Sequence, residues 1–144
     1  MRSIFCATVL SWLVLPTAWA QADVTATAAK EPGASVTASG LVYRSLKDGN
    51  GASPAATDTV KVHYRGSFPD GKEFDSSYKR NEPTEFPLNR VIACWTEGVQ
   101  NMKVGGKAKL TCPAAIAYGS RGAGGVIPPN ATLQFEIELL SVTR

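Results

Sequence analysis

The stretch RVIACWTEGVQNM, Arg90 to Met102, decides the fold, because it is the one good amphipathic helix pattern in the 144-residue chain. Trp95, Val99 and Met102 recur at helical spacing and give a single apolar stripe; Lys103, Gly105 and Gly106 supply a stop near Met102. Outside it the informative segments read as strands. TVKVHYRGSF (59–68) alternates, with Val60, Val62 and Tyr64 on one face and Lys61, His63 and Arg65 on the other. ATLQFEIELLSV (131–142) turns Leu133, Phe135, Ile137 and Leu139 inward and Gln134, Glu136 and Glu138 outward. GLVYRSL (40–46), EFDSS (73–77) after the PDGK turn, TEFPL (84–88) and KAKLTC (107–112) are shorter strands. A strand-rich chain with one helix is α+β, and the helix stripe must lie against the apolar face of the sheet, since neither hides its own hydrophobic side.

The first twenty residues read as a secretory signal peptide: Arg2, an apolar run from Ile4 to Leu15, Pro16, then Ala18-Trp19-Ala20 as the cleavage site. The run is too short to span a bilayer comfortably, so a periplasmic or secreted protein, off the membrane once cleaved after Ala20, is expected. Residues 21–39 are small, polar and aperiodic, which predicts a flexible leader ahead of one domain at 40–144. The formal charge of +3 includes Arg2, and the remaining basic residues are scattered among acids, so no nucleic-acid surface is expected. A monomer is favoured. Cys94 and Cys112 form an even pair entering an oxidising compartment. The pair reads as a disulfide worth about 3 kcal/mol of loop-closure entropy, or as two separate buried thiols. The chain has no CxxC, which disfavours a thiol oxidoreductase.

Ordinary catalytic machinery is missing from the sequence. His63 is the only histidine and falls on the outward face of its strand, where it reads as solvated. Neither a metal site nor a Ser-His-Asp triad is supported, and no cofactor is expected. YGSRGAGG (118–125) has the composition of a phosphate loop, but no Lys-Ser/Thr follows. An enzyme built from this chain has to work without proton shuttle, nucleophile or metal.

VHYRGSFPDGKEFDSS (62–77), VIACWTEGVQNMKVGGKAKLTCP (91–113) and IAYGSRGAGGVIPPNATLQFEIELL (116–140) occur in an order and spacing that resembles the FKBP-type peptidyl-prolyl cis-trans isomerases, above all the exported bacterial single-domain type. The resemblance covers about Gly40 to Val142 and implies a twisted antiparallel β-sheet wrapped around one short α-helix. It further implies a pocket walled by Tyr64, Phe74, Asp75, Tyr118 and Phe135 and floored by Trp95, with Phe86 at its edge and Arg80 as partner of Asp75. Val91 and Ile92 match the segment whose backbone receives substrate, and Val126 and Ile127 the rest of the wall. Cys94 stands at a position commonly glycine, Thr84 where some members carry an aromatic, and Ala123 where a larger side chain can occur; all three bear on substrate preference. The implied activity is isomerisation of X-Pro bonds in unfolded or partly folded polypeptides, with macrolides of the tacrolimus and rapamycin type as inhibitors. The alternative is a non-catalytic polypeptide-binding chaperone, a holdase using the same groove.

Overall fold

One antiparallel sheet of seven strands organises the computed structural model, which describes residues 26–144. The expected signal peptide and residues 21–25 lie outside the described residues. The strands are β1 (Ala34–Val36), β2 (Val42–Lys47), β3 (Thr59–Ser67), β4 (Glu73–Ser76), β5 (Thr84–Pro87), β6 (Lys107–Cys112) and β7 (Leu133–Thr143). Short 3-10 turns at Leu88–Arg90 and Ala114–Ile116 flank the helix α1 (Ala93–Val99) and β6 respectively. Along the sheet the order is β1-β2-β6-β7-β3-β4, and β5 also pairs with β3. The free edge of β3 is thus divided: β5 takes residues 59–62 and β4 takes 65–67.

The alternation that identified the strands sets their faces. Val60, Val62 and Tyr64 are buried while Lys61 and Arg65 are exposed, and Leu133, Phe135, Ile137 and Leu139 are buried along β7. β3 and β7 pair from Thr59↔Thr143 to Ser67↔Gln134, with one register shift between Lys61 and Val62. The PDGK turn closes as expected, with the Phe68 N–H donating to Lys72 O and Gly71 at a φ of 89°.

The helix is shorter than its stop signals suggest, ending at Val99. Beyond it the Asn101 N–H bonds Gly98 O and the Met102 N–H bonds Val99 O, tighter i→i−3 contacts that still carry Met102 into the core. Its buried side meets β6 closely at Gly98, where an added Cβ would stand 2.8 Å from both Leu110 methyl carbons. Cys94, in the first helical turn, is joined to Cys112 at the end of β6 by a disulfide with Cα atoms 5.9 Å apart, both residues fully buried.

Two expectations need correction. Residues 26–39 are not a loose leader: β1 pairs with β2, Ala28 is buried, and Glu31 bridges Arg44 of β2 and Lys109 of β6, each at 2.9 Å. Backbone pairing and two ion pairs order a segment that has no apolar period to reveal it. Both cations hold the Glu31 carboxyl below its usual range, the Lys109 hydrogen bond most strongly, against the opposing effect of burial. His63, in turn, is not simply solvated. Its Nδ1 lies 2.9 Å from Ser77 Oγ and its ring stacks on Tyr78 at 4.7 Å.

Among the described residues no helix is long and apolar enough to cross a membrane. The bridge between Cys94 and Cys112 predicts that unfolding under non-reducing conditions exposes no alkylatable thiol at either position. Replacing both by alanine should lower the free energy of urea unfolding by about 2–4 kcal/mol.

Candidate active site

Where α1 begins, β3, β5 and β7 each bring one aromatic side chain against Trp95. The ring centroids of Tyr64, Phe86 and Phe135 stand 5.2, 5.4 and 5.4 Å from the indole, with interplanar angles of 80°, 85° and 89°. Each edge-on contact of this kind adds about 0.5–1.5 kcal/mol beyond area burial. Phe74 extends the array by packing edge-on against Phe135 at 5.7 Å, and Phe68 backs Phe74 at 5.1 Å. The rings border a cavity of about 260 Å³ lined by Tyr64, Phe74, Asp75, Phe86, Arg90, Val91, Ile92, Trp95, Tyr118 and Phe135. Trp95 is 4 % exposed, and its Nε1–H is a buried donor with no acceptor among the described residues.

Ile92 occupies the N-cap of α1 in an extended conformation, φ −58° and ψ 151°, so its carbonyl faces the helix and accepts from the Trp95 and Thr96 amides. Thr96 Oγ1 donates to Leu88 O at 2.7 Å, tying the preceding 3-10 turn to the helix. Among the described residues neither the Ile92 N–H nor the Tyr118 hydroxyl has a hydrogen-bond partner.

One side of the cavity is polar and closed on itself. The Tyr64 hydroxyl donates to Asp75 Oδ2, Arg80 Nη1 donates to Asp75 Oδ1 at 2.6 Å, and Arg80 Nη2 donates to the Tyr64 oxygen at 3.1 Å. The guanidinium also lies 5.7 Å from the Tyr64 ring centroid. Burial works to raise the Asp75 pKa, but the hydrogen bonds from Tyr64 and Arg80 outweigh it and hold the carboxyl below its ordinary value. Burial and the bond to Asp75 raise the Tyr64 pKa. Near neutral pH neither group is therefore suited to trade a proton, and the triangle acts as a fixed polar wall.

The structure brings Tyr64, Phe74, Asp75, Phe86, Val91, Ile92, Trp95, Tyr118 and Phe135 to one cavity. Arg80 stays outside it and reaches the site only through Asp75 and Tyr64. Val126 and Ile127 border an adjoining hollow, which shares Phe74, Asp75 and Tyr118 with the main one and includes Ala123. Cys94 and Cys112 lie beneath, fully buried. Among the described residues no group of three or more His, Cys, Asp or Glu side chains is placed to hold a metal ion.

Three contributors were not identified from the sequence. Arg90 lines the cavity beside Val91. Ser77 fixes the Tyr64 backbone, its Oγ accepting from the Tyr64 N–H at 2.7 Å while its own N–H donates to Tyr64 O at 2.9 Å. Gly66 makes room for the rings: a Cβ there would lie 2.6 Å from Phe74 Cζ and 3.0 Å from Phe135 Cε1. A glycine at the next inward position after Val60, Val62 and Tyr64 was the available signal.

A family model described as FKBP-type peptidyl-prolyl cis-trans isomerase matches residues 51–140. The chain is 55 % identical over 116 residues to the FKBP-type peptidyl-prolyl cis-trans isomerase FkpA of Aeromonas hydrophila, covering 81 % of this chain and 43 % of that protein. It is 53 % identical over 114 residues to FkpA of Escherichia coli strain K12, covering 79 % and 42 %. The chain thus spans well under half the length of these two curated relatives. The crystal structure of FkpA from Escherichia coli superposes with a TM-score of 0.84 and 47 % identity over 87 % of this chain and 58 % of that one. A peptidyl-prolyl cis-trans isomerase from Pseudomonas syringae pv. tomato gives 0.83 and 39 % over 92 % of this chain and all of that one.

Because the folded Asp75 pKa is depressed, its contribution to stability is present above the ordinary aspartate value of about 3.9 and is lost as pH falls through the folded pKa. Asp75→Asn should flatten that acid limb in urea titrations repeated from pH 6 to pH 2. Gly66→Ala should cost about 1–3 kcal/mol by overpacking and shift the Trp95 emission, measured by fluorescence-detected unfolding.

Proposed function

The chain belongs to the FKBP-type peptidyl-prolyl cis-trans isomerase family, and from that premise we propose that it catalyses rotation about X-Pro bonds in unfolded or partly folded exported polypeptides. The observation that carries this reading is the aromatic cavity of about 260 Å³ whose lining includes an amide and a hydroxyl without partners among the described residues. The apolar run of residues 4–15 and its small-residue cleavage site support export to the periplasm or beyond.

Isomerisation has to cross a barrier of about 18–20 kcal/mol because resonance gives the C–N bond double-bond character. Twisting the bond removes that resonance along with much of its charge separation. Water stabilises the planar, more polar amide, so moving the bond into a pocket of Trp95, Phe74, Phe135, Tyr64 and Ile92 side chains withdraws that preference. The Ile92 N–H and the Tyr118 hydroxyl hold flanking carbonyls, so the chain on either side stays fixed while the bond turns. Contacts that fit the twisted geometry better than either planar isomer lower the barrier. Proton transfer has no part in this scheme, which agrees with the opposite displacements of the Asp75 and Tyr64 pKa values. The aromatic lining also suits an apolar part of a macrolide of the tacrolimus or rapamycin type.

A second reading, a non-catalytic holdase, draws on the adjoining hollow. There Val126 is 57 % exposed at the tip of a glycine-rich loop, apolar surface offered to an extended chain.

In a protease-free proline-peptide assay the protein should accelerate isomerisation, and a tacrolimus-like macrolide should compete. Tyr118→Phe should lower kcat/KM about 2- to 12-fold, the value of one hydrogen bond, with little change in stability. Absence of catalysis in the unaltered protein would sink the isomerase reading. Full suppression of client aggregation by such a catalytically inert protein would favour the holdase.

A further inference from the structure

The rim of the aromatic cavity carries an unbalanced positive charge. Among the described residues Asp75 is the one carboxylate lining the cavity, and Arg80 at 2.6 Å already neutralises it. Arg90 lines the same cavity next to the Val91–Ile92 segment, is exposed, and makes no ion pair among the described residues. Arg121, also exposed and without an ion pair among the described residues, lies in the sequence between Tyr118 and Ala123, which both border the adjoining hollow. With Asp75 paired to Arg80, Arg90 is the charged lining residue of the main cavity whose guanidinium has no ion-pair partner among the described residues.

We propose that Arg90 is a specificity-determining residue that selects segments carrying Asp or Glu immediately before or after the X-Pro unit, and disfavours segments with Lys or Arg there. The proposal rests on the isomerase reading of the cavity. A guanidinium pairs with a carboxylate through two parallel donors, so the selection needs an ionised Asp or Glu in the client. The apolar walls beside Arg90 do not compete for that carboxylate. At about 0.1 M salt the field reaches roughly 10 Å, enough to cover the residues flanking the bound proline. The discrimination belongs in KM, because the charge attracts the planar and the twisted bond equally.

The test compares matched proline peptides that bear Glu, Gln or Lys immediately before or after the X-Pro unit. For the unaltered protein, kcat/KM should fall in the order Glu, Gln, Lys at one or both positions. The Glu-to-Gln step should be about 1.5- to 5-fold, the range of an exposed ion pair, carried by KM and shrinking as salt rises. Arg90→Gln should bring the Glu-to-Lys ratio towards one, Arg90→Lys should keep most of it, and Arg121→Gln should change it less than Arg90→Gln. Equal values for Glu and Lys peptides at low salt, or a ratio that survives Arg90→Gln, would overturn the proposal. Dissociation constants of the same peptides from NMR titration read the ratio without catalysis. Absence of turnover would therefore count against the isomerase reading alone, while the charge preference would still be decided.

Discussion

The seating of three aromatic rings edge-on against one indole is the constraint on which the site depends. Tyr64 comes from β3, Phe86 from β5, Phe135 from β7 and Trp95 from α1, so four separate elements must be in register before the contacts at 5.2–5.4 Å exist. Rings standing nearly perpendicular to the indole fix it without stacking flat on it, and the hollow survives beside a well-packed core. The same contacts that stabilise the fold thus shape the cavity, and core and site are one set of side chains.

Four devices keep that arrangement from collapsing. Gly66 leaves the inward position of β3 without a side chain, which is where Phe74 and Phe135 fit. The Cys94–Cys112 bridge ties the residue before Trp95 to the end of β6, while Gly98 lets the helix settle on Leu110. Tyr64 is held at both ends, its backbone by Ser77 and its hydroxyl by Asp75 and Arg80. A side chain fixed at two points loses little further freedom when a ligand arrives, so the pocket is largely preorganised.

Much of the sheet was legible in the sequence because burial imposes a period of two, and β3 and β7 write that period plainly in Val60-Val62-Tyr64 and Leu133-Phe135-Ile137-Leu139. The aromatic residues that line the cavity were legible as members of a family pattern; individually each looks like ordinary core. What escaped has no apolar signature. β1 is held by backbone pairing and by a turn in which Gly40 takes a φ of 91°, and Glu31 finds its two cations only once β2 and β6 are neighbours. His63 escaped for a similar reason: its alternation gives the outward face, but the Tyr78 ring covering that face arrives from a loop after β4. Arg90 adjoins residues that were recognised, yet its place on the rim follows from the 3-10 turn at Leu88–Arg90, which no periodicity announces.

The strand order has a consequence for a chain that emerges from a narrow conduit amino end first. β7, last in chain order among the described strands, lies between β6 and β3 in the middle of the sheet. Until Leu133–Thr143 clears the exit, β1, β2 and β6 make one fragment and β3, β4 and β5 another, with no backbone ladder between them. Closure of the sheet therefore waits for β7, and the two halves stay separately mobile until that strand is free to pair with both.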